Sequence, residues 1–435
     1  MQQICKFTEI MKGISILMLA ALSLVGCKSK LESSWEQELL YRQKCDFTAT
    51  RADVEAYIRK YIPEVSAGQI DAWTANRRLE SMLIDSQVMY FRNAAANLFR
   101  VDPECRAIKA AKEGVQESGY EEDKSANIAE VKAAGSVLAA PKRMKVRYTL
   151  SVKPDIVPAG EIIRCWLPFP RRDVKRQTGV KFISSSPGNP YFSKPESAHS
   201  TLYFEQKAVA GEAAVFVEEF EYVSMAERHE NLREQAKAYD KESSLYKEYT
   251  AERSPHMLFT PRIRALADSL TKGIENPVEQ ARIMFDWVDA NLPWASSIEY
   301  STIENLSDYT LDIAYGDCGR VTMLFLTMCR YKGIPAHFQS GFMTHPHGNN
   351  MHDWGEIYFE GVGWVPVDQS FGGDYYFGGI DSWRMVVNND YGKALDPAKK
   401  FTRSETVDFQ RGEVEWRGGN LYFPAWNWDI EIEYL

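Results

Sequence analysis

Apolar and polar positions along the chain follow three patterns, one after another. Between residues 33 and 113, apolar residues recur at the spacing of a helix face, with stripes over 54–62 and 79–90. This spacing predicts amphipathic helices. A segment rich in Gly, Ala and charge follows, so 33–135 is expected to be a helical region that ends in a linker or a poorly packed helix. Beyond it, apolar and polar residues alternate between Pro- and Gly-rich turns, which predicts a small antiparallel β-sandwich over 142–226.

Helix and strand patterns alternate from residue 256 onward. One helix is predicted after the cap at Asn276-Pro277, and a second over 318–332. Three strands are predicted to follow it, over residues 336–342, 352–359 and 364–368. The mixture predicts an α+β core over 256–375, followed by an aromatic-rich C-terminal extension over 376–435 whose strands extend or flank the core sheet. The aromatic side chains of that extension are expected mainly in the core, with a ligand-binding groove as the alternative.

The first residues have a different character from the rest of the chain. Lys12 precedes a short apolar run that ends in Leu24-Val25-Gly26-Cys27, a pattern typical of a secretory signal over residues 1–27. The Leu-Val-Gly-Cys stretch resembles a bacterial lipobox, which implies cleavage before Cys27 and lipidation of that residue. The sequence therefore predicts an exported protein, anchored through Cys27 to a bacterial membrane and facing the periplasm or the cell surface. No later stretch approaches the ~20 apolar residues of a membrane span.

Composition and cysteine usage exclude several classes of protein. The chain has 51 Lys+Arg against 60 Asp+Glu, a net charge of −9 without a basic stripe, which argues against a nucleic-acid partner. Its 45% apolar and 12% aromatic residues exclude a disordered chain. Five cysteines follow residue 27, at positions 45, 105, 165, 318 and 329. An odd number without a C-x-x-C pair favours neither a disulfide framework nor a zinc ribbon, so no metal or cofactor is predicted.

Three residues form a candidate catalytic set. Cys318 opens the second predicted helix, where free N–H groups and the helix dipole favour a thiolate, the nucleophilic form of cysteine. His352 starts a predicted strand and Asp368 ends the next one. Neighbouring strands lie about 4.8 Å apart, so these two side chains can touch. The order predicts a cysteine nucleophile, a histidine base and a carboxylate that orients the base.

The motifs around this set occur in a characteristic order. They are Gly316-Asp317-Cys318, Gly333-Ile334-Pro335-Ala336, Ser340-Gly341, His352-Asp353-Trp354-Gly355-Glu356 and Gly363-Trp364-Val365-Pro366-Val367-Asp368. Together they resemble the core of the transglutaminase-like superfamily. The resemblance implies a papain-like fold, with Cys318 as nucleophile, His352 as base and Asp368 as the residue that orients the base.

The same resemblance assigns further side chains and marks two departures. It implies an oxyanion donor or site wall at Trp294 and a site wall at Trp354, beside the backbone N–H of Cys318 as a first oxyanion donor. His337 stands where an Arg is common, which is expected to alter the site wall. Asp353 stands where a small residue is frequent, and its charge is expected to tune His352.

The predicted activity is thiol-dependent acyl transfer on peptide or carboxamide bonds through a thioester on Cys318. Hydrolysis of a protein or peptide, cell-wall peptides included, is favoured over cross-linking because no amine-acceptor site is identified. The alternatives are a protein-glutamine transglutaminase, a non-catalytic peptide- or cell-wall-binding lipoprotein, and a surface-assembly component that acts through residues 33–135. A metal site with His345, His347 and His352 is disfavoured because the first two lie in a predicted loop.

Overall fold

A computed structural model describes residues 35–114 and 119–435 of the protein. The predicted signal segment and Cys27, the predicted site of lipidation, lie outside these ranges. Within them, no helix is long and apolar enough to cross a membrane.

The N-terminal region is mainly helical, as predicted, with one exception. Its elements are α1 (35–46), α2 (Arg51–Arg59), α3 (Ala67–Ala75), β1 (Ser81–Ile84), β2 (Gln87–Tyr90), α4 (Ala94–Val101), α5 (Pro103–Glu113) and α6 (Gly119–Ala134). The helical prediction for 79–90 was wrong, because β1 and β2 pair as an antiparallel hairpin. Asp85 and Ser86 take positive φ angles of 48° and 66° between them. Such a two-residue turn suits the right-handed twist of a hairpin and is not available to a helix.

The next part of the chain forms most of a β-sandwich. Its strands are β3 (Leu138–Val152), β4 (Ile162–Pro168), β5 (Gln177–Ser186), β6 (Tyr191–Phe192), β7 (Thr201–Lys207) and β8 (Ala214–Arg228). One sheet is built on the long β3–β8 pair and the other on β4–β7, and their apolar faces enclose a shared core. Two short helices, α7 (Leu232–Gln235) and α8 (Ser244–Tyr249), lead from this sandwich to the core.

The α+β core packs a helix against a four-stranded sheet. Its helices are α9 (Pro261–Leu270), α10 (Pro277–Asn291), α11 (Leu306–Ile313) and α12 (Cys318–Tyr331). Its strands are β9 (Ala336–His345), β10 (Gly348–Phe359), β11 (Gly363–Val367), β12 (Gly379–Ile380) and β13 (Arg384–Asn388). The sheet order is β11-β10-β9-β13, while β12 pairs with β8 of the sandwich. Helix α12 is buried along nearly its whole length, which fixes Cys318 at its first residue.

The strands of the C-terminal extension belong to the sandwich. They are β14 (Glu413–Trp416), β15 (Gly419–Asn420) and β16 (Trp426–Tyr434). Strand β14 pairs with β4, and β16 pairs with β3 along nine residues. Of the two predicted placements, extension of the core sheet was therefore wrong, because these strands pair with sandwich strands. Trp428 of β16 stacks on Tyr148 of β3, with ring centroids 5.9 Å apart. Trp383, Tyr422 and Trp426 are buried, as expected for core aromatics.

Strand β9 is central in the core sheet, and a glycine allows its close packing. Gly341 is paired with His352 of β10 on one side and Val386 of β13 on the other. A methyl group on Gly341 would overlap the carbonyl oxygen of Met385. The spacing between β9 and β13 therefore depends on the missing side chain, and so does the position of the neighbouring His352.

We expect Gly341→Ala to lower the free energy of unfolding by about 1–3 kcal/mol, the usual cost of an extra group in a packed interior. The urea midpoint of the full chain measures the change. Gly348→Ala is the matched control, because it adds the same methyl group to β10 where nothing lies within 4 Å. It should leave the midpoint nearly unchanged, and equal midpoints for the two variants would contradict the close packing at Gly341.

Candidate active site

Cys318 is the first residue of α12 and lies at the N-terminus of that helix. Asp317 caps the helix, and its carboxylate accepts a hydrogen bond from the Arg320 backbone N–H at 3.3 Å. The preceding Gly316 is held by the segment that carries Trp294, since its N–H donates to Pro293 and its carbonyl accepts from Ala295. The entry into the helix is thus fixed on both sides, as the Gly-Asp-Cys motif predicts.

His352 and Asp368 lie on neighbouring elements of the core sheet and touch. His352 Nε2 and Asp368 Oδ2 are 2.7 Å apart, and since a carboxylate only accepts, Nε2 carries the hydrogen. Arg384 reaches the same oxygen from β13 at 3.3 Å. Burial by itself raises the pKa of Asp368, but His352 and Arg384 outweigh it and hold that pKa below its ordinary value. Asp368 is therefore an anion fixed between two donors.

Cys318 and His352 line one cavity of about 500 Å³. His352 Nδ1 has no hydrogen-bond partner among the residues the structure describes, whereas Nε2 is held by Asp368. The nitrogen left for the thiol is therefore Nδ1. Two other parts of the chain complete the wall: Arg92 and Asn93 of the N-terminal region, and the segment 404–411 of the C-terminal extension.

The thiol of Cys318 faces a carboxyl group. Its Sγ donates to Asp353 Oδ2 at 3.4 Å, and Tyr300 donates to the same oxygen at 3.3 Å. Burial raises the pKa of the Cys318 thiol well above its ordinary value, and the charges of Asp353 and Asp317 raise it further. Burial and the two carboxyl groups thus act against the lowered thiol pKa that the position of Cys318 at a helix N-terminus predicts.

Asp353 is itself perturbed by its surroundings. Burial, and then the charge of Asp317, raise the pKa of Asp353 to about 8. Its other oxygen, Oδ1, accepts from Gln410 Nε2 at 3.0 Å. The residue that the sequence marks as a departure from the family pattern thus contacts the Cys318 thiol directly.

The two predicted tryptophans occupy different positions. Trp294 lies in the cavity wall, half-exposed, with the Arg100 guanidinium 4.6 Å above its ring. Trp354 is fully buried and its indole N–H donates to Gln339 at 2.8 Å. Its ring is nearly parallel to that of His352, 5.9 Å between centroids. Trp354 as a site wall was therefore wrong, since it is not among the residues that line the cavity. It lies two positions after His352 on β10, so both side chains project from the same face of the sheet and Trp354 packs beside the imidazole.

The remaining histidines lie away from the thiol. His337 pairs with Glu356 at 2.7 Å and packs on Trp364, so it does not form part of the site wall. His345 and His347 approach Asp123 of α6. No cluster of three or more metal-ligating side chains occurs within 35–114 and 119–435.

Several residues of the site carry no sequence signal of their own. Arg384 opens a short strand, and Asp408, Gln410 and Arg411 belong to a segment without regular structure. No periodicity places such residues, and their distance along the chain from Cys318 hides their proximity. The only hint is a run of charged residues within an otherwise aromatic extension.

A cysteine at a helix N-terminus and a histidine–carboxylate pair on adjacent strands define a papain-like arrangement. Residues 264–369 match the family model of the transglutaminase-like superfamily, a range that contains Cys318, His352 and Asp368. The chain therefore carries a transglutaminase-like domain within an α+β fold.

Individual relatives are distant. The uncharacterized protein YebA of Bacillus subtilis is 24% identical over 129 residues, which are 26% of this chain and 18% of that protein. The chain thus matches less than a fifth of that relative's length. A candidate cysteine protease from Cytophaga hutchinsonii is 14% identical, with 68% of this chain and 92% of that chain covered, at a TM-score of 0.47. The periplasmic domain of TgpA from Pseudomonas aeruginosa is 15% identical, with 55% and 90% covered, at a TM-score of 0.29.

We expect Asp353→Asn to speed the alkylation of Cys318 by iodoacetamide above about pH 8, where the wild-type carboxyl group is ionised. Loss of a charge beside Sγ lowers the thiol pKa, and one unit of pKa corresponds to about tenfold in thiolate. Below that pH both proteins carry a neutral side chain at 353 and should react alike. Intact-mass kinetics on the full chain, with Cys318→Ser as the background, give the rates.

Asp429→Asn is the matched control, since it removes an exposed carboxylate of β16 outside the cavity wall. It should react like the wild type at every pH. An alkaline rate for Asp353→Asn that is equal to or below that of the wild type would contradict the electrostatic role of Asp353.

Proposed function

We propose that the protein is a thiol-dependent acyl-transfer enzyme that hydrolyses peptide or carboxamide bonds. Cys318 is the nucleophile, His352 the acid–base group and Asp368 the residue that orients His352. The observation that carries the proposal is the shared cavity, into which Cys318 and His352 both open while Asp368 holds Nε2 of the imidazole.

The chemistry follows from this geometry. His352 Nδ1 takes the thiol proton as Sγ attacks the carbonyl carbon, so a C–S bond forms and a tetrahedral oxyanion develops. When the oxyanion collapses, the C–N bond breaks and the imidazolium gives its proton to the leaving amine. Water then attacks the thioester carbonyl, with its proton passing to His352; as this second intermediate collapses, the C–S bond breaks and the imidazolium returns the proton to Sγ. The products are a carboxylic acid and the restored thiol.

Two donors are proposed for the oxyanion. The backbone N–H of Cys318 belongs to the first turn of α12, where N–H groups lack helical partners. The indole N–H of Trp294 is the second, supported by its position in the cavity wall. The buried Trp354 is unsuited to this role because its N–H is already donated to Gln339.

The substrate and cellular setting are proposed on the sequence alone. A protein or peptide substrate, cell-wall peptides included, suits an exported lipoprotein held through Cys27. Hydrolysis requires only water at the thioester, whereas cross-linking by a protein-glutamine transglutaminase also requires a bound amine acceptor.

We expect Cys318→Ala to lose at least about a thousandfold in turnover, as removal of a nucleophile does in serine and cysteine enzymes. The assay incubates the full chain with casein and with soluble cell-wall peptides, with and without dansylcadaverine, and identifies products by mass. Cys329→Ala is the matched control, since this buried cysteine lies on α12 but outside the cavity wall.

Formation of new carboxyl termini that depends on Cys318 supports hydrolysis. If dansylcadaverine is incorporated instead, and this incorporation depends on Cys318, the protein is a transglutaminase. Binding of either material without any Cys318-dependent product would identify a non-catalytic binding protein and contradict the proposed function.

A further inference from the structure

The cavity around Cys318 contains more carboxyl groups than cations. Its wall includes the carboxyl groups of Glu299, Asp317, Asp353, Glu405 and Asp408. Within the described residues, the only Lys or Arg side chains of that wall are Arg92 and Arg411. The pairing of these two guanidinium groups therefore decides which carboxyl groups lack a cation.

Both guanidinium groups are already engaged. Arg411 binds Glu299 through two N–H groups at 2.9 and 2.7 Å, and it binds Glu405 at 2.7 Å. Arg92 binds Asp46 at 2.6 Å, behind the wall. Glu299 and Glu405 are thereby neutralised, and in the part of the chain that the structure describes neither arginine forms an ion pair with Asp353 or Asp408.

Asp408 is the exceptional member of this group. It is only 7% exposed and lines the cavity, yet among residues 35–114 and 119–435 its carboxyl group has no hydrogen-bond or ion-pair partner. Asp353 accepts hydrogen bonds only from neutral donors, namely Tyr300, Cys318 and Gln410. A buried carboxyl group without a cation or donor is destabilising. Asp408 is such a group, and Asp353, which has neutral donors but no cation within the described residues, faces the same cavity as the thiol. Asp317 also lacks an ion pair there, but its carboxyl group caps α12 by accepting from the Arg320 backbone N–H.

We infer that Asp353 and Asp408 form a subsite for a primary ammonium group carried by the acyl-donor substrate. The inference rests on the proposed function and names the chemistry of its substrate: a peptide or carboxamide with a free amine close to the bond that Cys318 attacks. An ammonium group is compact and has three N–H donors, which matches two carboxyl groups. An anionic group would meet the same two side chains with repulsion.

The position of this subsite links binding to reactivity. The carboxyl group of Asp353 contacts Cys318 Sγ and disfavours its thiolate. An ammonium group between Asp353 and Asp408 offsets that charge, so a bound substrate favours transfer of the thiol proton to His352. The proton stays in the cavity, and no other reactant is required.

The test uses two thiol reagents of opposite charge on the full chain at mildly alkaline pH. These are 2-aminoethyl and 2-sulfonatoethyl methanethiosulfonate; each forms a disulfide with Sγ and releases methanesulfinate. Burial, and then the charges of Glu405 and Asp353, raise the pKa of Asp408 well above its ordinary value. The wild type should prefer the ammonium reagent, because an ammonium group stabilises the ionised form of this carboxyl group. The Asp408→Asn variant cannot ionise at this position and should reduce the ratio of the two rates about tenfold. Labelling needs only a reachable thiol, so the result does not depend on thioester formation.

Asp429→Asn is again the matched control, and its rate ratio should equal that of the wild type. An equal ratio in Asp408→Asn and wild type would overturn the subsite. So would a preference of the wild type for the sulfonate reagent. Either result would leave the proposed function standing. The proposed function itself would be overturned if the thiol reagents label Cys318 but no ester substrate forms an acyl-enzyme on it.

Three p-nitrophenyl esters distinguish an α-amine from a side-chain amine as the source of the ammonium group. They are the esters of glycine, of 6-aminohexanoic acid and, as the comparison without an amine, of hexanoic acid. If Asp408→Asn slows acylation only by the glycine ester, the ammonium is an α-amine; if only by the aminohexanoate, it is a side-chain amine. Slowing of both amino esters supports the subsite for either source. Equal slowing of the hexanoate, or an effect only on capture of the acyl-enzyme by added butylamine, would overturn the donor subsite.

Discussion

The carboxylate of Asp368 is fully buried, and it stays charged there because two cationic or polar donors reach it. His352 approaches from β10 and Arg384 from β13, so the ends of separate strands of one sheet converge on a single oxygen atom. Asp381 contacts the other side of Arg384 and completes the network. The orientation of the imidazole, and hence the nitrogen that it turns to the cavity, depends on this buried anion.

Three parts of the chain meet at Cys318. The core supplies the thiol and the imidazole, while the N-terminal region and the C-terminal extension supply walls. Asn97 of α4 exchanges two hydrogen bonds with Ser296, and Asp46 accepts from the Glu299 backbone. The N-terminal region thus helps to shape the cavity.

How far the sequence predicts this structure depends on the range of the interactions. The helix from Cys318 and the strands that carry His352 and Asp368 are predicted well, because local periodicity and an ordered motif define them. The hairpin at 81–90 was predicted as a helix, because a four-residue strand contains too few positions to distinguish the two periods. The cluster of carboxyl groups around the thiol could not be predicted from the sequence, because only tertiary packing brings Asp408 to the same cavity as Asp353.

The central claim is that Cys318 forms an acyl-enzyme with His352 as its base. Intact-mass kinetics with p-nitrophenyl acetate test it most directly, with wild type compared against His352→Gln, in which an amide can still donate to Asp368. The account predicts a single acetyl group on Cys318, formed about a hundredfold or more slowly in the variant, as is typical for loss of a general base. Acetylation at equal rates in the two proteins, or at sites other than Cys318, would contradict the account.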